Sequence, residues 1–217
     1  HHHDDPVVRT LTTFAAPGCA SGCGSGSTIG PDGALYVTDG PGGRVLRIDR
    51  RTGATTTFAS GLPQALPQVG IGGAVDVIFV GRTAYVAVTL VGPDFGQPDV
   101  VSGLYRIDRD GDPTPVADIG AWSAANPSDT DYFVPSGVAY SLERYRGRLL
   151  VADGHHTRVL SVSRRGDISE LQTFGNVVPT GLEVDRGAVY LAQAGPVPHN
   201  PEDGKVVRFR GDGPTVE

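Results

Sequence analysis

Two short apolar runs, Gly33-Ala-Leu-Tyr-Val-Thr-Asp39 and Gly43-Arg-Val-Leu-Arg-Ile-Asp49, form a unit that the chain repeats. The unit returns three times, at 82–108, 147–162 and 187–209. Every copy follows another short apolar run, and the first three copies precede a run rich in Thr and Val. Short β-branched and aromatic runs bounded by Gly, Pro and Asp are typical of β-strands. Four strands in each of four repeats predict an all-β fold, a β-propeller, rather than a sandwich.

The repeats place blades near 7–58, 59–117, 120–174 and 175–217, after a tail at 1–6. The tail begins with three histidines, which are either the remnant of a purification tag or a natural linker. Residues 8–14 resemble the outer-strand sequence at 54–58. They therefore predict an outermost strand that joins the last blade, which would cover an open sheet edge.

The long connections between predicted strands all fall on one face of the propeller. Strands in a blade alternate in direction, so the turn from first to second strand lies opposite the connection from second to third. We define the loop-rich face by its connections, at 61–73, 90–101, 120–133 and 194–203. Long irregular loops on a compact scaffold usually carry function. We therefore expect a small molecule or peptide to bind there.

Composition excludes some partners. The 217 residues carry a net charge of -6 and no basic block, which argues against nucleic acid. No apolar run reaches the roughly 20 residues of a membrane-spanning helix.

Asp76 departs from the pattern of the predicted inner strands. In the other repeats, the corresponding first position is assigned to Gly26, Gly137 and Gly181. An aspartate there either adds a carboxylate to the mouth of the channel, as a metal ligand, or caps nearby backbone N–H groups.

The loop-rich face also carries residues able to act on a ligand. Histidines at 155, 156 and 199 are candidates for a general base, or they serve only as loop hydrogen bonders. The polar side chains that could converge on a ligand from different blades are Asp39, Asp153, Gln193 and Thr180. Asp76 and Asp153 are candidate ligands for Ca²⁺ or Mg²⁺, which prefer oxygen donors. Whether the protein is an enzyme stays open.

The loop at 120–133 contains three aromatic residues, Trp122, Tyr132 and Phe133. They either contact a ligand or form a small core for the loop itself.

Cys19 and Cys23 are the two cysteines of the chain. A zinc site needs about four ligands and no second cysteine pair exists, so we favour a local disulfide over free thiols. A disulfide suits an oxidising compartment, hence a secreted protein.

The repeats resemble NHL-type propellers, and more closely the ScyD/ScyE family of secreted propellers. The resemblance is carried by four segments, 30–39, 135–140, 151–156 and 178–182, and runs from about residue 7 to the end. It implies export and a propeller, without a defined activity.

A more distant architectural resemblance is to gluconolactonase-like lactonases and streptogramin lyases, which implies the alternative of a metal-assisted hydrolase or lyase. Members of the ScyD/ScyE family usually continue for two more repeats. The resemblance therefore also implies a six-bladed ring completed by further blades or a partner chain, and a structural role in a larger assembly is the second alternative.

Overall fold

The computed structural model describes residues 26–131, 134–196 and 200–217. They form four antiparallel sheets arranged as the four blades of a β-propeller, which confirms the predicted fold. Within each blade the strands follow one another in chain order from the axis outward. The first blade comprises β1 (Ser27–Ile29), β2 (Leu35–Asp39), β3 (Arg44–Ile48) and β4 (Thr55–Ser60).

The next two blades also have four strands each. The second comprises β5 (Gly73–Val80), β6 (Thr83–Thr89), β7 (Gly103–Ile107) and β8 (Pro113–Ala117). The third comprises β9 (Ala139–Tyr145), β10 (Arg148–Asp153), β11 (Arg158–Val162) and β12 (Ile168–Thr173).

The fourth blade has three strands among the described residues, β13 (Pro179–Asp185), β14 (Ala188–Gln193) and β15 (Lys205–Phe209). Outside β15, the backbone of Val216 forms an antiparallel bridge with Arg208. The segment at 8–14, predicted to join this blade, lies outside the described residues.

In the described part of the chain, helical structure is confined to the connections of the loop-rich face. The long loop predicted at 120–133 instead begins with a helix, α1 (Ile119–Ala125), whose first turn is capped by Asp118 accepting the N–H of Ala121 at 2.8 Å. A carboxylate at this position satisfies a helix N–H that lacks an intrahelical partner. Single 3-10 turns occupy Pro93–Phe95 and Pro201–Asp203.

The hydrophobic core lies between the blades. Alternate residues of each strand face opposite neighbours, so one apolar cluster fills each of the three successive interfaces. Between the first two blades, Tyr36 packs edge to face on Phe58 and Phe79, with ring centroids 4.9 and 4.7 Å apart, and the two phenylalanines lie 5.8 Å apart in a tilted arrangement. This packing fixes adjacent blades against each other and thereby positions the loops that they carry.

The inner hairpins share one irregularity. In the second, third and fourth blades, the register between the first and second strands shifts by one residue near the loop-rich face. The bulged residues are Val75, Tyr140 and Thr180. A β-bulge bends its strand and turns the extra side chain in a new direction, so these three positions are directed differently from their neighbours.

The pairing also corrects one assignment made from sequence. Asp76 lies opposite Ala87, and the matching partner of Ala152 is Ser141, not Gly137. Gly137 precedes β9 and has a φ of 72° in a turn. The third inner strand therefore begins later than the glycine pattern predicts, because this glycine serves the turn before the strand.

Candidate functional site at the loop-rich face

A pocket of about 670 Å³ opens among the long loops, and we call it the mouth pocket. Its volume falls within the range typical of small-molecule sites. Its apolar wall consists of Val69, Ile71, Leu90, Phe95, Val134, Pro135 and Val138. Three polar side chains interrupt this wall: Asp94, Tyr140 and His155.

Three loops build the apolar wall, and their packing explains its position. Leu90, Val134 and Val138 form a buried cluster against which Val69 and Phe95 pack. Leu90 has a φ of 57°, a left-handed conformation that is uncommon for a non-glycine residue. Close to it, a Cβ on Gly72 would lie 2.8 Å from that of Leu90, so the neighbouring loop needs glycine here.

Tyr140 forms the polar floor of the mouth pocket. As the bulged residue of the third inner hairpin, it is 37% exposed, whereas the adjacent Ser141 is buried. Its ring lies against Gly154, where an added Cβ would come within 2.2 Å of the ring. Burial, together with the charge of Asp153, raises the pKa of the Tyr140 hydroxyl, so it stays protonated and able to donate a hydrogen bond.

His155 lies half-buried in the pocket wall, as one of the three histidines singled out in the sequence. Desolvation lowers its pKa below the ordinary value of a histidine. Its imidazole is therefore neutral at pH 7 and can accept or donate a proton.

Asp94 joins two loops of the wall. Its Oδ2 accepts the backbone N–H of Ser136 at 2.9 Å, across the boundary between the second and third blades. Asp94 is otherwise exposed and carries a charge at the rim of the pocket.

Beneath the mouth pocket, a second cavity of about 370 Å³ runs between the inner strands, and we call it the axial channel. All four inner strands contribute to its lining, and Tyr140 borders both cavities. The acidic side chains that line it are Asp76, Glu143 and Glu183. The mouth is thus largely apolar, whereas the channel is polar and acidic.

Asp76 connects the inner strands of the second and third blades. Its Oδ2 accepts the N–H of Leu142 at 2.7 Å, and its Oδ1 accepts the N–H of Val77 at 2.9 Å. In the next blade Ser141, at the matching position, accepts the N–H of Leu182 at 3.2 Å. Inner strands have a free backbone edge toward the axis, and these side chains satisfy N–H groups along it. Asp76 thus has the capping role considered from the sequence.

The capping hydrogen bonds do not fully offset the burial of the Asp76 carboxylate. Desolvation raises its pKa from 3.8 to about 6, and the nearby Glu143 adds to this rise. The pKa of Glu143 is raised as well, by burial and then by the charge of Glu183. The channel therefore holds acidic groups that repel one another.

Asp39 and Asp153 occupy equivalent positions at the ends of their second strands, and both are buried. Asp39 accepts the N–H of Gly42 at 3.0 Å and pairs with Arg44 at 2.6 Å. Asp153 accepts the N–H groups of Val138 and His156 at 3.1 and 3.2 Å. Both carboxylates thus organise the loop that follows their strand.

Asp153 belongs to a buried pair. The Nε of Arg158 lies 3.8 Å from its Oδ2, and Arg158 also donates to the carbonyl of Asn126 at 2.8 Å. Burial raises the pKa of Asp153, while His156 and Arg158 counter that rise.

His156 is fully buried and points toward Ser128 and Pro135, and it does not line the mouth pocket. Its Nδ1 accepts the N–H of Ser128 at 3.3 Å, and its Nε2 lies 3.0 Å from the carbonyl oxygen of Pro135. Since a carbonyl only accepts, we place the ring proton on Nε2. These bonds support a structural role for this histidine.

The remaining candidates are dispersed. Trp122 lies beneath Arg158 of β11, with the guanidinium carbon 5.0 Å from the ring centroid, and packs against the core between the second and third blades instead of lining the mouth pocket. Gln193 is buried at the end of β14, while Thr180 faces the axial channel and donates to the carbonyl of Ala192 at 3.2 Å. The other candidate residues lie outside the described part of the chain: His199, Tyr132, Phe133, Cys19 and Cys23.

Metal ligands are not gathered in the described ranges 26–131, 134–196 and 200–217. No group of three or more His, Cys, Asp or Glu side chains there is arranged to hold an ion. Asp76 and Asp153, the proposed ligands, belong to different hydrogen-bond networks. Within the same residues, no helix is long and apolar enough to cross a membrane.

The apolar wall and Tyr140 were not predicted from the sequence. The signal for Tyr140 was present: it stands where the other repeats have Val75 and Thr180, once the inner strands are aligned by pairing. The misplaced glycine equivalence concealed it. The wall has no comparable signal, because its apolar residues come from loops that share no pattern.

Comparison with known proteins shows the fold of this chain and no closer relationship. No protein-family model matches the sequence, and no curated protein matches it. Many solved structures do match. They include NHL-like and gluconolactonase-like propellers.

Three of these structures illustrate the range. A catalytically inactive virginiamycin B lyase from Staphylococcus aureus with quinupristin is 14% identical, with a TM-score of 0.58, covering 89% of this chain and 54% of that one. A gluconolactonase from Xanthomonas campestris is 15% identical, with a TM-score of 0.61, covering 89% and 60%. A chain of a nidogen/laminin complex is 13% identical, with a TM-score of 0.59, covering 88% and 63%.

All three share the propeller fold. This chain spans less than two thirds of the length of each. At identities this low the likeness concerns architecture alone, and one fold supports many activities.

Proposed function

We propose that this protein binds an apolar small molecule in the mouth pocket. The observation that carries the proposal is an apolar cavity of about 670 Å³, built by loops from separate blades and bordered by a few polar groups. Binding sites commonly combine a mostly apolar lining with a small number of polar groups that orient the ligand. The volume favours a small molecule over an extended peptide.

The exposed apolar side chain of Ile71 gives a direct test. Ile71 lines the pocket and is 59% exposed, so its replacement leaves the fold intact. We expect Ile71→Ser to weaken binding of the neutral fluorescent probe prodan by about tenfold, as lost apolar contact costs on the order of 1 kcal/mol. Binding is measured by titrating the probe and following its emission.

Val206→Ser is the matched control, because Val206 is 56% exposed on β15 and does not line the pocket. Phe95→Ala, in the wall itself, gives a second reading. Equal prodan affinity in the wild type, Ile71→Ser and Phe95→Ala would overturn the proposal.

A second candidate function is a hydrolase or lyase that acts on the bound molecule. It is supported by His155, whose neutral imidazole in the pocket wall is suited to general base catalysis, and by the nearby protonated hydroxyl of Tyr140. Screening a panel of aryl esters and lactones by mass spectrometry tests it. Turnover that disappears in His155→Gln supports catalysis, whereas unchanged turnover excludes this histidine as the base.

Export and membership of the ScyD/ScyE family are also proposals, supported by the four segments that carry the resemblance. A disulfide between Cys19 and Cys23 agrees with export. The mass of the intact protein before and after reduction tests the disulfide: a gain of two hydrogens is expected. An unchanged mass would remove this support for an oxidising compartment.

Completion of the ring by further blades or a partner chain is a separate proposal, supported by the repeat number of that family. Sedimentation equilibrium of the purified chain tests whether a second copy is the partner: a mass of two chains supports self-assembly, and a monomer mass contradicts self-assembly.

A further inference from the structure

We infer that the mouth pocket selects ligands in which an apolar body carries a cationic amine, with the amine directed into the axial channel. This inference rests on the proposed function, since it names the class of ligand for the same site. Tyr140 borders both cavities, so an apolar group above this side chain lies next to the polar channel. A ligand that occupies both must be apolar at one end and polar at the other.

The charges that line the two cavities determine which polar end is favoured. The mouth pocket has Asp94, and the channel has Asp76, Glu143 and Glu183. No Lys or Arg side chain belongs to either lining in the part of the chain that the structure describes. Among the lining side chains, a positively charged ligand group would therefore contact only negative or uncharged groups, and an anionic group would be repelled.

The register of the inner strands aligns these carboxylates along the channel. Glu143 lies opposite Leu150, and Glu183 lies opposite Tyr190, which are matching positions of adjacent blades. Asp76 matches a position two residues nearer the loop-rich face along the inner strand. An amine that enters past Tyr140 thus approaches Asp76 first and the two glutamates below it.

Two of these carboxylates, Asp76 and Glu143, are not fully compensated within the protein. Asp76 accepts backbone N–H groups, which carry no net charge, and its pKa is raised in spite of them. The pKa of Glu143 is raised by burial and by Glu183. A bound cation would relieve this repulsion, and the relief would add to the apolar contacts of the mouth.

Three indole compounds of similar size test the selection: tryptamine, which is cationic at pH 7, tryptophol, which is neutral, and indole propionate, which is anionic. Isothermal titration at low salt gives the dissociation constant of each. We expect tryptamine to bind at least about tenfold more tightly than tryptophol, and indole propionate to bind most weakly. The advantage of tryptamine should shrink in high salt.

The double variant Glu143→Gln/Glu183→Gln is expected to reduce the preference for tryptamine over tryptophol, while Asp76 and Asp94 retain part of it. Its control is Asp110→Asn/Asp212→Asn, which removes two exposed carboxylates outside both linings and should retain the preference. The matched net charge separates a local effect from that of the whole molecule.

The outcomes distinguish the inference from the proposed function. One outcome is that tryptophol binds, that Ile71→Ser lowers its affinity, and that tryptamine binds no more tightly than tryptophol. This outcome would support binding in the mouth pocket and would overturn the preference for a cationic amine. A preference that is undiminished in Glu143→Gln/Glu183→Gln likewise overturns the role of the two glutamates of the channel. If none of the three compounds binds and prodan also fails to bind, the proposed function itself fails.

Discussion

Asp76 joins two blades through a single side chain, and the burial that this requires disfavours the charged form of its carboxylate. Its carboxylate accepts N–H groups from β5 and β9, but burial raises its pKa to about 6, above its ordinary value of 3.8. The native state therefore binds its proton more tightly than the unfolded chain does. The stabilisation that this proton brings is fully present below pH 4 and is lost as the pH rises to about 6.

Asp76→Asn is expected to change the pH dependence of stability in this window. Relative to the variant, the wild type should lose free energy of unfolding between pH 4 and pH 6, by up to about 3 kcal/mol from the shift in pKa. Urea unfolding at several pH values measures this difference. Asp110→Asn, at an exposed site, should follow the wild type. A constant difference between Asp76→Asn and the wild type would contradict the assignment.

Two equivalent ion pairs differ in burial and hence in the expected effect of breaking them. Arg158 and Asp153 are 1% and 2% exposed, whereas Arg44, beside Asp39, is 33% exposed. Arg158→Met should destabilise the protein by about 3–5 kcal/mol, since it leaves a buried carboxylate without its cation. Arg44→Met also leaves a buried carboxylate, since Asp39 is 0% exposed, but it should cost less, because water reaches the space beside the partly exposed arginine.

Urea unfolding of the two arginine variants measures both effects. Adding Asp153→Asn to Arg158→Met should recover part of the lost stability, because the residues interact directly. Equal losses in Arg158→Met and Arg44→Met would show that burial does not decide the effect.

At the scale of the element, the blades are joined where the connection from one blade passes the loop of another. The backbone of Gly40, between β2 and β3, lies so close to the 61–72 connection that an added Cβ would be 2.2 Å from the carbonyl oxygen of Gly72. At Gly175, between β12 and β13, an added Cβ meets no atom within 4 Å. Substituting these two glycines therefore distinguishes a position where a side chain would clash, Gly40, from a loop position where it would not, Gly175.

Gly40→Ala should destabilise the protein by about 1–3 kcal/mol, because backbone must move to admit the methyl group. Gly175→Ala should remain within about 0.5 kcal/mol of the wild type. Thermal unfolding of both variants provides the comparison. Similar midpoints for the two would contradict the proposed close approach.

The sequence predicted where the strands lie, but it did not predict which residues pair across the sheet. The runs at 33–39 and 43–49 were identified as strands and correspond to β2 and β3. The third inner strand was aligned by Gly137, yet the pairing aligns it by Ser141. Composition indicates that a segment is extended, but the partner across the sheet and the bulge at Tyr140 decide which residue lies where.

In the whole molecule, stability comes from the interfaces between blades, because a single blade cannot bury its apolar faces by itself. Phe79 on β5 packs against Tyr36 and Phe58 of the first blade. Phe79→Ala should lower the free energy of unfolding by about 3–5 kcal/mol. The control Ile29→Ala, at a side chain 50% exposed, should have little effect. Urea unfolding distinguishes them, and a small loss for Phe79→Ala would contradict the importance of this interface.

The sequence by itself determined the strands, their recurrence and the face that carries the long loops, because those features depend on local composition and on the order of turns. It also identified Asp76 as a departure from the repeat and His155, together with His156 and His199, as a candidate base. Only the tertiary structure decided that His156 is turned into a loop, that Trp122 packs beneath Arg158, and that Tyr140 stands between an apolar mouth and an acidic channel. The reason is physical: a cavity consists of the space between distant segments, and its shape and charge depend on how those segments pack.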